Sequence, residues 1–355
     1  MQPSPLSRSL ASGSQRLTTP GQPLWGRGGN PTGRPEHLLR KAAVLLHNLY
    51  RSLLAKPHES RSIMHPEAQV PRVCGASHPC LAASPGLPLR TINIAFNPAI
   101  AMRPPLRIAV LECDKPAGSL DAKYNGYYGV FSLLLRESAE ALRQPDRLDP
   151  TSGFDISRWD VVTKQEYPNL EDVDAILLTG SKHNSYDNHP WIIKLVEYTR
   201  KAIEHDRVKI LGICFGHQII ARASGMKVGK SGVGWEIAVC DMDLSDQGKE
   251  VFGKEKLRIQ QMHQDIVFDC PPNAICLGSS PQCAIQGMYL PGHYITVQGH
   301  PEFRADMATE IIGLRMASSV FSKEIGEEAL TRAANEHDGI AIMATFLDFL
   351  LDVSK

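Results

Sequence analysis

Residues 209–220 read KILGICFGHQII, an apolar run that passes through two glycines into a polar pair and then a helical pattern. The first part suits a buried strand and the part from Phe215 a helix. Gly212 stands two residues before Cys214 and Gly216 two after it, the G-x-nucleophile-x-G spacing of a strand-to-helix elbow. Such a turn strains the backbone of its central residue and leaves no space for side chains on either flank. It also sets the sulfur at a helix N-terminus, where free N–H groups and the helix dipole favour a thiolate. The N–H of Phe215 is then placed to meet a developing oxyanion. A cysteine behind an apolar strand is ordinarily a core residue. The paired glycines and the polar His217-Gln218 set this one apart.

Working outward, the pattern is regular from Leu106 onward. LRIAVLEC, VDAILLTGS and RVKILGI read as buried strands, and DISRWDVVTKQ as a further strand. YYGVFSLLLRES and HPWIIKLVEYTRKAIEHD read as amphipathic helices, the second with Pro190 in its first turn. Strand alternating with helix implies an α/β fold: a mainly parallel open sheet flanked by helices. EIAVCDM, LRIQQMH, AICLGSS, CAIQGMY and HYITVQGH are short and β-like, as though a more antiparallel region joins the sheet. RADMATEIIGLRMASSVFSKE and GIAIMATFLDFLLDV read as terminal helices.

A thiolate that attacks acyl groups needs a base from elsewhere in the chain. ITVQGHPEF offers His300 and Glu302, which point the same way if the segment is extended. Pro301 between them excludes a helix. The carboxylate can then orient the imidazole while the other ring nitrogen faces the sulfur. Taken alone, this pair reads as a surface histidine and a solvated acid; beside the elbow it reads as part of a triad. Gly180 and Ser181 follow a buried strand in ILLTGSKHNSYDN, which suits a second N–H aimed at an oxyanion.

Together these elements resemble the class I, triad-type glutamine amidotransferase domain over about residues 106–303. GICFGHQ carries G-x-C-x-G-x-Q, and GHPE carries His-x-Glu. The resemblance implies a flavodoxin-like core, with Cys214 as nucleophile, His300 as base and Glu302 as its orienter. It places Gly180, Ser181 and Phe215 at the oxyanion and substrate positions and gives Gln218 to the γ-glutamyl pocket. MHQD, residues 262–265, stands where related domains often have S-H-x-D. ECDKP, KYNGYYGVFSLLL, TGSKHNSYDN and LGICFGHQIIARASG look most like the γ-glutamyl peptidases of plants and the stand-alone amidotransferase-like proteins of fungi. Many amidotransferases have Gly-Gly-Pro in the oxyanion strand; here it is Gly180-Ser181-Lys182, a variation that subgroup tends to share.

The implied chemistry is hydrolysis of a γ-glutamyl amide, peptide or glutamine, through a thioester and without metal or organic cofactor. The alternative is a glutaminase subunit that delivers ammonia to a separate synthetase, since no P-loop or pyrophosphatase loop accompanies the domain. A non-catalytic binding module is the third reading. Other residues are less telling. Cys270, Cys276 and Cys283 with His263 lack the C-x-x-C spacing of a zinc site. Cys113 and Cys240 read as core thiols. His183, Asp187 and His189 read equally as pocket rim or solvated loop. Trp235 and Glu236 read as the start of a strand with the indole in the core, or else as ligands of the glutamyl amino or carboxylate end.

The 355 residues carry 38 basic and 38 acidic side chains, a formal net charge of zero. That balance gives no whole-protein attraction to nucleic acid or to an anionic membrane. No apolar run approaches the ~20 residues of a membrane-spanning helix. Eight irregularly spaced cysteines without a secretory signal point to reduced thiols and a cytoplasmic protein. The average conceals a split. Residues 1–101 hold 13 of the 25 prolines and 11 basic against 3 acidic residues. We expect them to be a disordered leader or no part of the true protein, with residues 102–320 as the domain and 321–355 as a helical extension packed on it. The basic amphipathic stretch HLLRKAAVLLHNLYRSLLAK makes a mitochondrial targeting segment the alternative. A chain starting at Met102 is expected to unfold cooperatively in urea and to keep its activity; a broad, non-cooperative transition would show that the leader belongs to the fold.

Overall fold

In a computed structural model, which describes residues 104–205 and 207–352, the apolar runs become the centre of one sheet. The leader and its amphipathic stretch lie outside the described residues. Strands β1 (Leu106–Glu112), β3 (Ala175–Leu178), β4 (Lys209–Ile213) and β11 (Tyr294–Val297) pair in parallel, with β2 (Phe154–Asp160) parallel to β1 at the edge. The four inner strands are buried on both faces, which is why their sequences are nearly continuous in apolar residues.

Beyond β11 the pairing turns antiparallel through β10 (Gly287–Leu290), β9 (Ile275–Ser279), β6 (Glu236–Leu244) and β7 (Lys256–His263). The order is β2-β1-β3-β4-β11-β10-β9-β6-β7. Strands β5 (Val228–Lys230) and β8 (Asp265–Val267) form a separate antiparallel pair. The antiparallel region expected from the short β-like segments is thus the far half of the same sheet.

Successive residues of the inner strands feed opposite layers. Ile108, Val110, Leu177 and Leu211 pack with α2 (Gly126–Leu142), α6 (Ala305–Ala317), α7 (Lys323–Arg332) and α8 (Gly339–Leu351). Ala109, Leu111, Ile176 and Ile210 pack with α3 (Pro190–Ile203) and α4 (Phe215–Ala223). Two short helices, α1 (Leu120–Tyr124) and α5 (Asp246–Phe252), complete the described residues. None of the described helices is long and apolar enough to cross a membrane.

Two elements differ from the expectation. RADMATEIIGLRMASSVFSKE is not one helix: α6 stops at Ala317, and Ser319 takes a left-handed φ of +58°. Ser322 then caps α7, its hydroxyl accepting from the N–H of Ile325 at 3.3 Å. The serine run is therefore a helix boundary. Helix α5 went unread, although Ser245 caps its start and Gly253, at φ +63°, ends it.

Helix α8 is bound into the sheet by polar as well as apolar contacts. Ile342, Met343, Phe346, Leu347 and Leu350 are fully buried in the same cluster as β1 and β4. The ammonium of Lys209, at the start of β4, donates to the carbonyls of Phe349 at 2.6 Å and Asp352 at 2.8 Å. Carbonyls in the last turn of a helix lack a partner within it. Burial lowers the Lys209 pKa, and the charge of Asp352 opposes that shift. Replacing Lys209 by methionine keeps the stem but removes the ammonium from the end of α8. It is expected to cost about 1–3 kcal/mol in urea unfolding, with the slope unchanged.

Candidate active site

The carboxyl ends of β1, β3, β4 and β11 open on one side of the sheet, the usual place for a site in a parallel α/β fold. Asp114, Gly180, Cys214 and the segment Gln298–His300 follow those four ends. Cys214 occupies the turn between β4 and α4 with φ +51° and ψ −102°. A side chain rarely adopts this region without support from its surroundings. The support is steric and hydrogen-bonded. The Cys214 N–H donates to Val297 O at 3.0 Å, and its carbonyl accepts from Gln218 N at 3.1 Å. A Cβ on Gly212 would lie 2.5 Å from Ile220 Cδ1 and 3.1 Å from the backbone N of His217. One on Gly216 would run into the carbonyl of Leu178. Both flanking glycines are thus fixed by packing.

His300 extends from β11 and is held by its own N–H, which donates to Gln260 O at 2.7 Å on β7. Its Nδ1 lies 2.8 Å from Glu302 Oε1, and its ring stacks on Phe303 at 4.0 Å between centroids. The other side of the imidazole is turned toward Cys214, close enough for the charge of Cys214 to act on it, and both border Gly180. All three residues are at most 5% exposed. Burial alone would lower the His300 pKa; the negative charges of Cys214 and Glu302, with the hydrogen bond to Glu302, outweigh it and raise the pKa. Gly180 lies against the ring: a Cβ there would stand 2.7 Å from His300 Cε1.

Cys214 opens on a cavity of about 180 Å³ whose walls include Ser181, Phe215, Gln218, Lys230 and His263. Gln218 is buried and donates to Asp265 O at 3.0 Å and Gln298 Oε1 at 3.1 Å. The phenyl ring of Phe215 turns into the core against Trp191, while the residue also borders the cavity. The free N–H groups of a helix N-terminus are those of its first turn, and Phe215 is the first residue of α4.

The less specific readings divide. His183 lines the cavity, whereas Asp187 accepts from the Asn184 amide at 3.1 Å. Trp235 serves both readings: its half-buried indole packs against the core, edge-on to Phe321, and forms part of the cavity wall. Glu236 is buried behind that wall, 3.1 Å from His263 Nε2 and accepting from Gln286 at 2.7 Å. Burial pushes the Cys113 thiol up to about 12. Cys240 is half-buried and receives a hydrogen bond from Arg332. Among the described residues no three His, Cys, Asp or Glu side chains are grouped to hold a metal.

Sequence reading missed Gln298, whose amide lies 3.6 Å from Cys214 Sγ while its carbonyl oxygen receives Gln218. Its position two residues before His300 was the available signal, since both side chains then face the same way. It also missed Lys230 and Arg315, which reach the cavity from β5 and α6. No local motif surrounds either.

Comparison with known proteins gives a consistent picture. The family model for glutamine amidotransferase class-I matches residues 151–313. A glutamine amidotransferase-like protein of Schizosaccharomyces pombe is 32% identical over 257 residues, 69% of this chain and 98% of that protein. Gamma-glutamyl peptidase 4 of Arabidopsis thaliana is 31% identical over 61% of this chain and 83% of its own. The crystal structure of a glutamine amidotransferase from Thermotoga maritima aligns with a TM-score of 0.53 over 70% of this chain and 99% of that one. It shares the fold at 17% identity.

The contact between Cys214 and His300 has a direct chemical signature. Iodoacetamide alkylates thiolates and spares thiols. His300→Ala is expected to slow alkylation of Cys214 at pH 7 at least about tenfold. An unchanged rate, read by mass spectrometry of the Cys214 peptide, would mean that the imidazole does not stabilise the thiolate.

Proposed function

Because the chain belongs to the class I glutamine amidotransferase family, we propose that it is a cysteine hydrolase of γ-glutamyl amides, with Cys214, His300 and Glu302 as its catalytic groups. One observation carries the reading. A cysteine held at φ +51° on a strand-to-helix elbow contacts an imidazole whose opposite nitrogen is bonded to a buried carboxylate. A core thiol needs none of these.

In the proposed reaction the Cys214 sulfur attacks the γ-carbonyl carbon. A C–S bond forms and the carbonyl π electrons move to oxygen. The N–H groups of Phe215 and Gly180 face that oxyanion, and Gln218 and Ser181 border the γ-glutamyl end. As the oxyanion collapses, the C–N bond breaks and His300 gives its proton to the departing amine. Water then attacks the thioester while His300 takes one of its protons. The C–S bond breaks, glutamate leaves, and the proton returns to the thiolate–imidazole pair. Glu302 holds the ring so that Nε2, and not Nδ1, faces the sulfur. Gln298 limits the freedom of both Cys214 and Gln218. The Gly180-Ser181-Lys182 turn and the peptidases among the relatives support a hydrolase complete in itself over a subunit awaiting a synthetase.

Purified protein alone is expected to release glutamate from γ-glutamyl peptides. Cys214→Ala and Cys214→Ser should each lose at least about a thousandfold in kcat/KM. Glu302→Gln should lose about a hundredfold or more. Protein that is inert alone yet releases ammonia from glutamine once a synthetase is added would replace this reading with that of a glutaminase subunit.

A further inference from the structure

A second cavity adjoins the first on the other side of the proposed reacting bond. Cys214 lines the first cavity and His300 the second, and the two share Ser181, Lys182, Met262 and Arg315 along their border. If Cys214 attacks the carbonyl and His300 protonates the amine, the glutamyl part lies in the first cavity. The leaving group then projects into the second. This inference rests on the function proposed above.

The second cavity has about 360 Å³. Ammonia needs roughly the space of a water molecule, about 30 Å³. The size therefore fits a leaving group with a side chain. The walls say which kind. Tyr127, Phe303, Ile311, Leu314 and Val320 line it with apolar surface, drawn from α2, α6 and the loops beside them. Of its charged groups, Asp114 is neutralised: Lys182 approaches it at 2.8 Å by its ammonium and at 2.9 Å by its backbone N–H, and Lys115 beside it is exposed to solvent.

Arg315 is different. Its guanidinium lies over the Trp235 ring at 5.1 Å and near the Phe321 ring at 5.8 Å. The guanidinium itself forms no hydrogen bond and no ion pair with any described residue, while the backbone carbonyl of Arg315 accepts from Val320 and Phe321. A half-buried guanidinium resting on aromatic rings keeps its planar fork of donors free for a carboxylate.

We propose that this second cavity is the leaving-group site, and that it takes an amino acid with an apolar side chain whose free carboxylate meets Arg315. The favoured substrate class is then a γ-glutamyl dipeptide ending in a residue such as leucine, ahead of glutamine, γ-glutamylglycine and carboxyl-blocked amides. Hydrolysis would release that residue as the free amino acid, its amine carrying the proton from His300.

The test measures binding, so that it does not depend on turnover. Full-length Cys214→Ala protein is titrated by calorimetry with γ-glutamyl-leucine, γ-glutamyl-leucinamide and γ-glutamylglycine. γ-Glutamyl-leucine should bind about tenfold more tightly than the glycine compound, through burial of its side chain. It should bind about tenfold more tightly than the leucinamide, through the carboxylate. Adding Arg315→Gln should erase the acid-over-amide ratio, and adding Leu314→Asn should shrink the leucine-over-glycine ratio. Leu314 is 43% exposed, so its replacement tests the wall without threatening the fold. Equal affinities for the three compounds, no detectable binding of γ-glutamyl-leucine at millimolar concentration, or an Arg315→Gln variant that weakens acid and amide by the same factor would overturn the proposal. Wild-type protein that hydrolyses none of these compounds would sink the hydrolase reading, while the binding ratios would still decide the site.

Discussion

The site depends on one backbone conformation, the left-handed turn at Cys214. Left alone, that conformation costs of order 1–3 kcal/mol and would relax. Here it cannot, because strand β4 is paired on both sides, by β3 and β11, and helix α4 is packed on the opposite layer. The ends of the elbow are fixed by the sheet and by the helix, which leaves the turn between them little freedom. The same geometry puts the sulfur at the start of α4 and within reach of whatever follows β11. A site of this kind stores strain in the folded state and draws on the core to maintain it.

The elements around the turn act on one another through a short polar chain. Gln218 donates to Gln298, and Gln298 approaches the Cys214 sulfur. Below it, His217 bonds Thr296 at 2.8 Å, and burial pushes its pKa down to about 3. A neutral imidazole there lets the elbow helix sit on β11 without placing a second cation under the thiol. His300 is the histidine with the raised pKa. Burial decides for His217, whose partner is a hydroxyl. For His300 burial is again the largest single effect, but the charges of Cys214 and Glu302 and the Glu302 hydrogen bond together outweigh it.

What sequence made legible follows from how much each feature depends on distant contacts. The elbow could be read because Gly212 and Gly216 are excluded from carrying side chains by atoms close to the turn itself. His300 and Glu302 could be read because Pro301 fixes an extended segment and the two-residue period does the rest. The parallel half of the sheet could be read because double burial leaves uninterrupted apolar runs. Lys230 and Arg315 could not be read, and Trp235 only as one of two alternatives. Each comes from a different element, and they meet only because β5, β6 and α6 converge at the same rim. The break between α6 and α7 was hidden for another reason. Ala317 and the serines around it fit a helix tolerably, so local propensity gave no warning that Ser322 was serving as a cap.

The order of the sheet also bears on how the molecule assembles. Strand β11 is inserted between β4 and β10, so Gln298 and Cys214 become neighbours although 84 positions separate them. Pairings between distant segments close late, because the chain must first lose the entropy of the loop between them. Until β11 slots in beside β4, the thiol has no imidazole and its turn has no Val297 carbonyl to hold it. The pairing of thiol and imidazole therefore exists only in molecules in which β11 has taken its place between β4 and β10.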